Sequence, residues 1–296
     1  HCHVCGDGKL RSVDYPKAPN RVDPLGFERI ETCESCGLGY ATPRATQAQV
    51  DEFYSSGAYW EPKADIGMLV HHRVQAHERL KAVSRLAGSF AGSIRILDIG
   101  AGHAYIGSFA PLYFRGAPTE YSFVEPDSRL SEIVMKREPH LRFLRVGALA
   151  ETCNNDIVFA NQVMEHVSDP TEFFAELVAA TKPGGLIYVE VPNRDDEFKS
   201  DVFPHTLFFS MSALSRLVAC DGRVELVSIE SFGDLAIAGP RTIKERLRLS
   251  IFNRGARWAE RAGISSMAEW MNRKAVDYSV RERGLWLRVV ARKLAH

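Results

Sequence analysis

The chain has 296 residues, with 37 basic and 37 acidic side chains and a 45% hydrophobic share. That is an ordinary globular balance, with length for one doubly wound core plus a small appended unit. Zero formal net charge disfavours a general polyanion binder, so nucleic acid is a poor partner. No run approaches the roughly 18 apolar residues that cross a bilayer, and no basic-then-apolar signal opens the residues present, which reads as cytoplasmic with no membrane partner.

Residues 1–42 hold four of the six cysteines: Cys2 and Cys5 in Cys-His-Val-Cys-Gly, Cys33 and Cys36 in Glu-Thr-Cys-Glu-Ser-Cys-Gly. The sequence between the pairs is Pro-rich and polar and could hardly build a core unaided. Two Cys-x2-Cys pairs, each followed by the glycine a tight knuckle turn requires (Gly6, Gly37), predict one tetrahedral zinc ion. A set of four thiolates is a closed sphere, so this metal folds the module and does no chemistry. Redox-active cysteines are the competing reading, and His1 and His3 stand near enough to substitute as ligands.

Residues 43–90 turn helical, with Leu69, Ala76, Leu80, Val83 and Ala87 on one face, and read as a cap over the next unit. Tyr59, Trp60, His71 and His72 could close a site from this cap by stacking, against the plainer reading of interface packing.

From Ser93 the pattern alternates. Ser93–Ile99 is an apolar β-branched run ending in Gly100-Ala101-Gly102, and Tyr105, Ile106, Phe109 and Ala110 follow at helical spacing. Strands at Tyr121–Glu125, Leu141–Val146, Asp156–Ala160 and Leu186–Val191 alternate with helices at Ser128–Arg137 and Asp169–Thr181, and Lys182-Pro183-Gly184-Gly185 reads as a turn. This order predicts an α/β fold with a doubly wound, Rossmann-like parallel sheet over residues 91–236. A helix at Met211–Cys220 and a strand at Val224–Ser231 precede an Arg-rich helical insertion, residues 237–281, and the final strand of the core lies within 282–296.

Glycines let the backbone pass close to a ligand at a strand-to-helix turn, where a helix N-terminus offers free N–H donors. A dinucleotide fingerprint wants its third glycine where Tyr105 stands, and would not favour the carboxylate of Asp98 before a pyrophosphate. Asp98 suits a ligand with a positive end. Glu125, in Phe-Val-Glu-Pro-Asp after the next strand, can accept from both ribose hydroxyls. The strand at 156–160 runs into Asn161-Gln162-Val163-Met164-Glu165-His166-Val167, where strand ends deliver catalytic groups.

In this order and spacing the motifs of Ser93–Phe232 resemble the class I S-adenosylmethionine (SAM)-dependent methyltransferases. The resemblance implies SAM as cofactor, with Asp98, Gly100 and Gly102 on its amino-acid part and Glu125 on the ribose. It also implies Ala148 and Leu149 beside the adenine and Asn161 and Gln162 beside the sulfonium, with Ala101 and Pro126 completing the binding set. The cysteine module ahead of such a domain resembles the zinc-binding methyltransferases of sugar and antibiotic pathways, including deoxysugar C-methyltransferases. Those continue with a further C-terminal domain that this chain has no room for after Ala291, which favours a hydroxyl acceptor, on a sugar or nucleotide-linked sugar, over the alternative of a ketosugar carbon, with RNA methylation the weaker alternative.

Methyl transfer to a hydroxyl needs alignment and a base, and histidine suits the task near pH 7. His166 and His205, the latter in Pro-His-Thr-Leu-Phe-Phe-Ser, are the candidates, each against a purely structural role. The arginines of 241–261 could bind an anionic group of the acceptor, or could simply form an exposed amphipathic face.

Overall fold

The computed structural model describes residues 1–56, 66–88, 92–115, 117–145, 152–235 and 243–295. Two sheets are present. A small antiparallel sheet is built from β1 (Leu10–Asp14), β2 (Arg29–Cys33), β3 (Gly39–Thr42) and β9 (Leu207–Phe208), in that order. β9 lies far along the chain, so the N-terminal sheet is stitched into the main body: Gly39 pairs with Phe208 and Tyr40 with Leu207. Two helices follow it. α1 (Gln47–Ser55) starts in a reciprocal capping box between Thr46 and Gln49, and α2 spans Ile66–Ser84.

The large sheet is assembled from β4 (Ile94–Ile99), β5 (Thr119–Val124), β6 (Arg142–Leu144), β7 (Asn155–Asn161), β8 (Thr181–Pro192), β10 (Val224–Leu235) and β11 (Gly284–Lys293). The spatial order is β10-β11-β8-β7-β4-β5-β6. β4, β5, β6, β7 and β8 are parallel, as the alternation predicts, but β11 enters between β8 and β10 antiparallel to both, so the sheet is mixed. The helices between strands are α3 (Tyr105–Tyr113), α4 (Ser128–Arg137), α5 (Pro170–Ala180) and α6 (Met211–Cys220). Side chains of Asp127, Asp169 and Ser210 cap the last three, which is why these helices begin where they do. The expected Lys182–Gly185 turn is a bulge within β8: Asn155 pairs with Thr181, Ile157 with Leu186, and Gly184 takes φ +78°.

α7 (Ile243–Arg261) and α8 (Ser265–Ala275) lie between β10 and β11. They are held to the cap helix by Arg73 of α2, whose guanidinium donates to Glu260 at 2.6 and 2.8 Å and to Glu269 at 3.0 Å. On the cap face, Ala76, Leu80, Val83 and Ala87 are buried against β4 and α3 with Ile96 and Ile106; Val70 and Val74 of the same helix are also fully buried. One face of the large sheet shares a continuous core with the N-terminal module, since Cys2, Cys36, Leu38 and Tyr40 pack with Leu97, Val158 and Phe209. Among the described residues no helix is long and apolar enough to cross a membrane.

Candidate active site

The carboxyl ends of β4, β5 and β7 open onto a cavity of about 1400 Å³. Its walls come from three directions: the strand ends, the cap helices α1 and α2, and residues 18–24 of the cysteine module. This is the crevice where an open α/β sheet binds ligands.

At the strand end, Asp98 is buried and its carboxylate accepts from the Tyr121 hydroxyl at 2.6 Å and the Asn161 amide at 3.4 Å. Burial pushes its carboxyl up to about 7, against the opposing pull of Tyr121, Arg79 and Asn161. Gly100 takes φ +65° and a Cβ there would lie 2.4 Å from Val163 Cγ2, so β4 can turn under the β7 loop only with glycine. Gly102 takes φ +56° and a Cβ would meet nothing within 4 Å, so its backbone faces open space. Ala104, next in the turn, is also left-handed at φ +51°. Left-handed Gln162 and Arg194 sit at the ends of β7 and β8, so three of the four left-handed non-glycine residues among those described lie along this sheet edge, the fourth being Asn154 ahead of β7.

Glu125 is buried at the end of β5 and accepts from the backbone N–H of Gly102 at 2.8 Å and of Asp127 at 3.0 Å. Burial raises its carboxyl above the ordinary range. Asn161 Oδ1 is buried with no hydrogen-bond partner, the mark of a group waiting for a donor. A buried carboxylate and an acceptor without a donor, beside a turn at Gly102 that carries no Cβ, fit a ligand with ammonium and sulfonium charge. Asp98, Gly100, Ala101, Gly102, Glu125, Pro126, Asn161 and Gln162 all line the cavity. Ala148 and Leu149 lie outside the described residues, as do Tyr59 and Trp60.

Sequence reasoning passed over several cavity residues. Arg79 of α2 reaches the cavity while paired with buried Glu190, whose carboxylate also accepts from Tyr188. An arginine next to Leu80 on the packing side of an amphipathic helix was the available signal. His103 also lines the cavity, beside His72, one of the cap residues the sequence offered, with their rings 5.8 Å apart. Burial foremost holds His72 near 3 and His103 near 4, so both are neutral, while His71 stacks on Tyr278 and does not line the cavity.

Beyond the end of β7 His166 lies in a 3₁₀ turn, Met164–His166. Its Nδ1 is 2.7 Å from the hydroxyl of Tyr54 in α1, and both residues line the cavity. Its Nε2 is 3.8 Å from the buried carboxyl of Glu165. Burial, and then His205, hold the His166 imidazole well below its ordinary range, while burial drives Glu165 well above its own. Each shift favours the uncharged form of its group. His205 does not line the cavity; its ring stands edge-on behind His166 at 4.9 Å, with Nδ1 3.1 Å from Asp195. The sequence thus identifies two histidines that the structure brings together, but only one is exposed to the cavity.

In the N-terminal module the four thiols converge. Cys2 and Cys36 are 3.5 Å apart and Cys5 and Cys33 3.4 Å, with all four sulfurs within 4.8 Å of one another. Tetrahedral Zn–S bonds of about 2.3 Å put sulfurs about 3.8 Å apart, so the set fits zinc. Two equivalent turns build it: Gly6 N–H donates to Cys2 O and Gly37 N–H to Cys33 O, both at 2.9 Å, with φ of +72° and +78°. His3 is engaged elsewhere, with Asp169 at 2.8 Å and Arg44 at 2.7 Å.

Residues 70–236, more than half of the chain, match the methyltransferase domain family, and the chain belongs to it. It is similar to a ubiquinone biosynthesis O-methyltransferase of Bordetella avium (strain 197N), 30% identical over 155 residues, 50% of this chain and 62% of that protein. It is also similar to a trans-aconitate 2-methyltransferase of Acidovorax sp. (strain JS42), 25% identical over 179 residues, 60% of this chain and 66% of that one. The chain therefore spans less than two thirds of these relatives. In fold it resembles the plantazolicin methyltransferase BpumL bound to S-adenosylhomocysteine, with TM-score 0.51 and 13% identity over 84% of this chain and 98% of that one. A chain from the complex of the Haloferax volcanii Trm112 methyltransferase activator with a methyltransferase gives TM-score 0.53 and 15% identity, over 84% and 98%.

Proposed function

We propose that this enzyme transfers the methyl group of SAM to a hydroxyl oxygen of a small acceptor, sugar-like or phenolic, with His166 as general base. The observation that carries this reading is the half-buried His166–Tyr54 pair at the wall of the cavity, with the imidazole held well below its ordinary range. The similarity to a ubiquinone biosynthesis O-methyltransferase supports oxygen as the accepting atom.

When bound, SAM supplies a methyl group on a sulfonium, open to in-line displacement. Asp98 and Asn161 hold the positive amino-acid end, Glu125 accepts from the ribose hydroxyls, and the Gly100–Gly102 turn lets backbone approach. At the other end the Tyr54 oxygen receives the acceptor's proton as its own passes to His166 Nδ1, so the imidazole ends as the cation. Phe53 and Phe203, whose rings meet edge-on at 5.4 Å, line the same region and offer apolar faces for an acceptor ring. Pro204 stands where the C-methylating sugar enzymes often carry a glutamate before the histidine, which favours oxygen over carbon. Zinc, held by Cys2, Cys5, Cys33 and Cys36, would be structural.

The test is incubation with SAM and a panel of nucleotide sugars, catechols and unsaturated carboxylates, with S-adenosylhomocysteine release as readout and NMR to place the new methyl. An O-methyl product is expected. Exclusive C-methylation, carboxylate esterification or no turnover on the whole panel rejects the proposal.

A further inference from the structure

Behind the proposed base lies a buried charge that the reaction as written does not use. Asp195 opens the 3₁₀ turn Asp195–Glu197 just after β8 and is 1% exposed. Its Oδ2 is 2.9 Å from Lys199 Nζ and 3.1 Å from His205 Nδ1, the latter an ion-pair distance at which the ring nitrogen is buried and not aligned into a hydrogen bond. The His205 backbone is fixed at both ends, its N–H donating to Val202 O and its carbonyl accepting from the Tyr15 hydroxyl, both at 2.9 Å. Its ring meets that of His166 edge-on, at 70° between planes. Four side chains thus run in series from the interior to the cavity: Asp195, His205, His166, Tyr54.

We infer that Asp195 is a positioning residue for methyl transfer, fixing the tautomer and ring plane of His205 so that His205 in turn holds His166 with Nδ1 on Tyr54. This rests on the reading of His166 as the base. A carboxylate facing one imidazole nitrogen selects the tautomer with hydrogen on that atom, which here puts N–H on His205 Nδ1. Lys199 already supplies a cation for Asp195, so neutralising that charge does not require His205.

The arrangement also supplies what the reaction needs when it forms charge. The proton that leaves the acceptor hydroxyl ends on His166, creating a cation in a buried site. The titratable groups facing that cation are Tyr54 from α1, Glu165 from its own turn and His205 from the loop before β9, with Asp195 and Lys199 behind. Burial drives the Glu165 carboxyl well above its ordinary range, whereas Asp195 is held down, at about 2, because His205 and Lys199 outweigh the opposing effect of burial. A fixed anion placed before the charge develops stabilises it without reorganisation. Asp195 itself takes no proton.

The experiment uses the full chain labelled with ¹⁵N-histidine and saturated with S-adenosylhomocysteine, as wild type, Asp195→Asn, Asp195→Glu, Lys199→Met and His166→Gln. Imidazole nitrogen shifts at pH 7 report the tautomers, calorimetry reports SAM affinity, and turnover is read with the acceptor from the panel. The wild type should show His205 protonated at Nδ1. Asp195→Asn should lose that preference and lower kcat about tenfold or more, with SAM affinity unchanged within twofold and partial recovery in Asp195→Glu. Lys199→Met removes the other partner of the same carboxylate but leaves Asp195 facing His205, so it should keep the His205 tautomer.

Equal losses in Asp195→Asn and Lys199→Met would reduce Asp195 to a structural residue and overturn the inference, as would an unchanged His205 tautomer in Asp195→Asn. If Asp195→Asn does not fold, Lys199→Met decides: loss of the His205 tautomer there overturns the inference. Full turnover in His166→Gln rejects the base itself, whatever the Asp195 variants do.

Discussion

Tyr54 and His166, 112 positions apart in the chain, meet through a 2.7 Å contact between hydroxyl and Nδ1 at the wall of the cavity. Replacing His166 with Gln keeps a polar side chain of similar reach but removes the base, so kcat should fall about 100- to 10,000-fold while SAM affinity is kept. Tyr54→Phe should cost less, since water can carry the proton. Steady-state kinetics with calorimetric SAM binding checks both, and a larger loss in Tyr54→Phe than in His166→Gln would reverse their roles.

The two ends of the site should respond differently to pH. His166 is held well below its ordinary range, so the base is already neutral at pH 6.5 and kcat at saturating SAM should be flat from there to pH 8. Asp98, pushed up to about 7 by burial, is largely protonated at pH 6 and must ionise to hold a cation. SAM affinity should therefore rise with pH between 6 and 8, by at most tenfold per unit below the carboxyl's pKa. Without ligand the sign for stability is opposite. The folded state holds the proton that the unfolded chain releases, so stability contributed by neutral Asp98 is lost as pH rises toward 7. The thermal shift produced by SAM should then be larger at pH 8 than at pH 6. Asp98→Asn should weaken SAM by about 10- to 100-fold and flatten this dependence; a pH-independent thermal shift in the wild type would contradict it.

Gly100 and Gly102 should fail for different reasons. In Gly100→Ala the new methyl group meets Val163 at 2.4 Å as well as a left-handed backbone, adding overpacking of about 1–3 kcal/mol to about 1–2 kcal/mol for the left-handed conformation. It should melt early. Gly102→Ala meets no atom within 4 Å, so it carries the backbone term alone and mainly places a methyl group in the cavity. Circular-dichroism melts and SAM titrations separate the two: Gly100→Ala should lose more stability, and Gly102→Ala more SAM affinity than its melting loss explains.

The parts of this site legible in the sequence are those where backbone geometry or ligand chemistry dictates residue type. Gly100 and Gly102 must be glycine, Asp98 and Glu125 must be acidic at strand ends, and four cysteines in two knuckles need no context. Tyr54, Arg79 and Asp195 were not legible, because each becomes functional only when α1, α2 or the loop after β8 is folded against the end of β7. Strand order has the same character. Periodicity indicates that Leu285–Ala291 forms a strand, but antiparallel entry between β8 and β10 follows from how α7 and α8 return the chain. β9, two residues long, carries no period, yet it is the pairing that joins the cysteine module to the segment holding His205.

That junction gives the module a consequence for catalysis as well as for folding. Residues 18–24, in the excursion between the two cysteine pairs, form part of the cavity wall, and Tyr15 of the same excursion donates to the His205 carbonyl. The thiols also share a core with the large sheet through Leu38 and Tyr40. Elemental analysis should find one zinc per chain. Stripping it with a strong chelator, or a Cys33→Ser, Cys36→Ser pair of changes, should lower the melting temperature by on the order of 10 °C, equivalent to about 3 kcal/mol in a domain of this size. The acceptor KM should rise several-fold while SAM affinity changes less than twofold, because Asp98, Gly102 and Glu125 stand on the large sheet. A metal-free protein with unchanged melting temperature and acceptor KM would show that the four thiols hold no structural ion, and an equal loss of SAM and acceptor binding would mean the module supports the whole cavity and not the acceptor end alone.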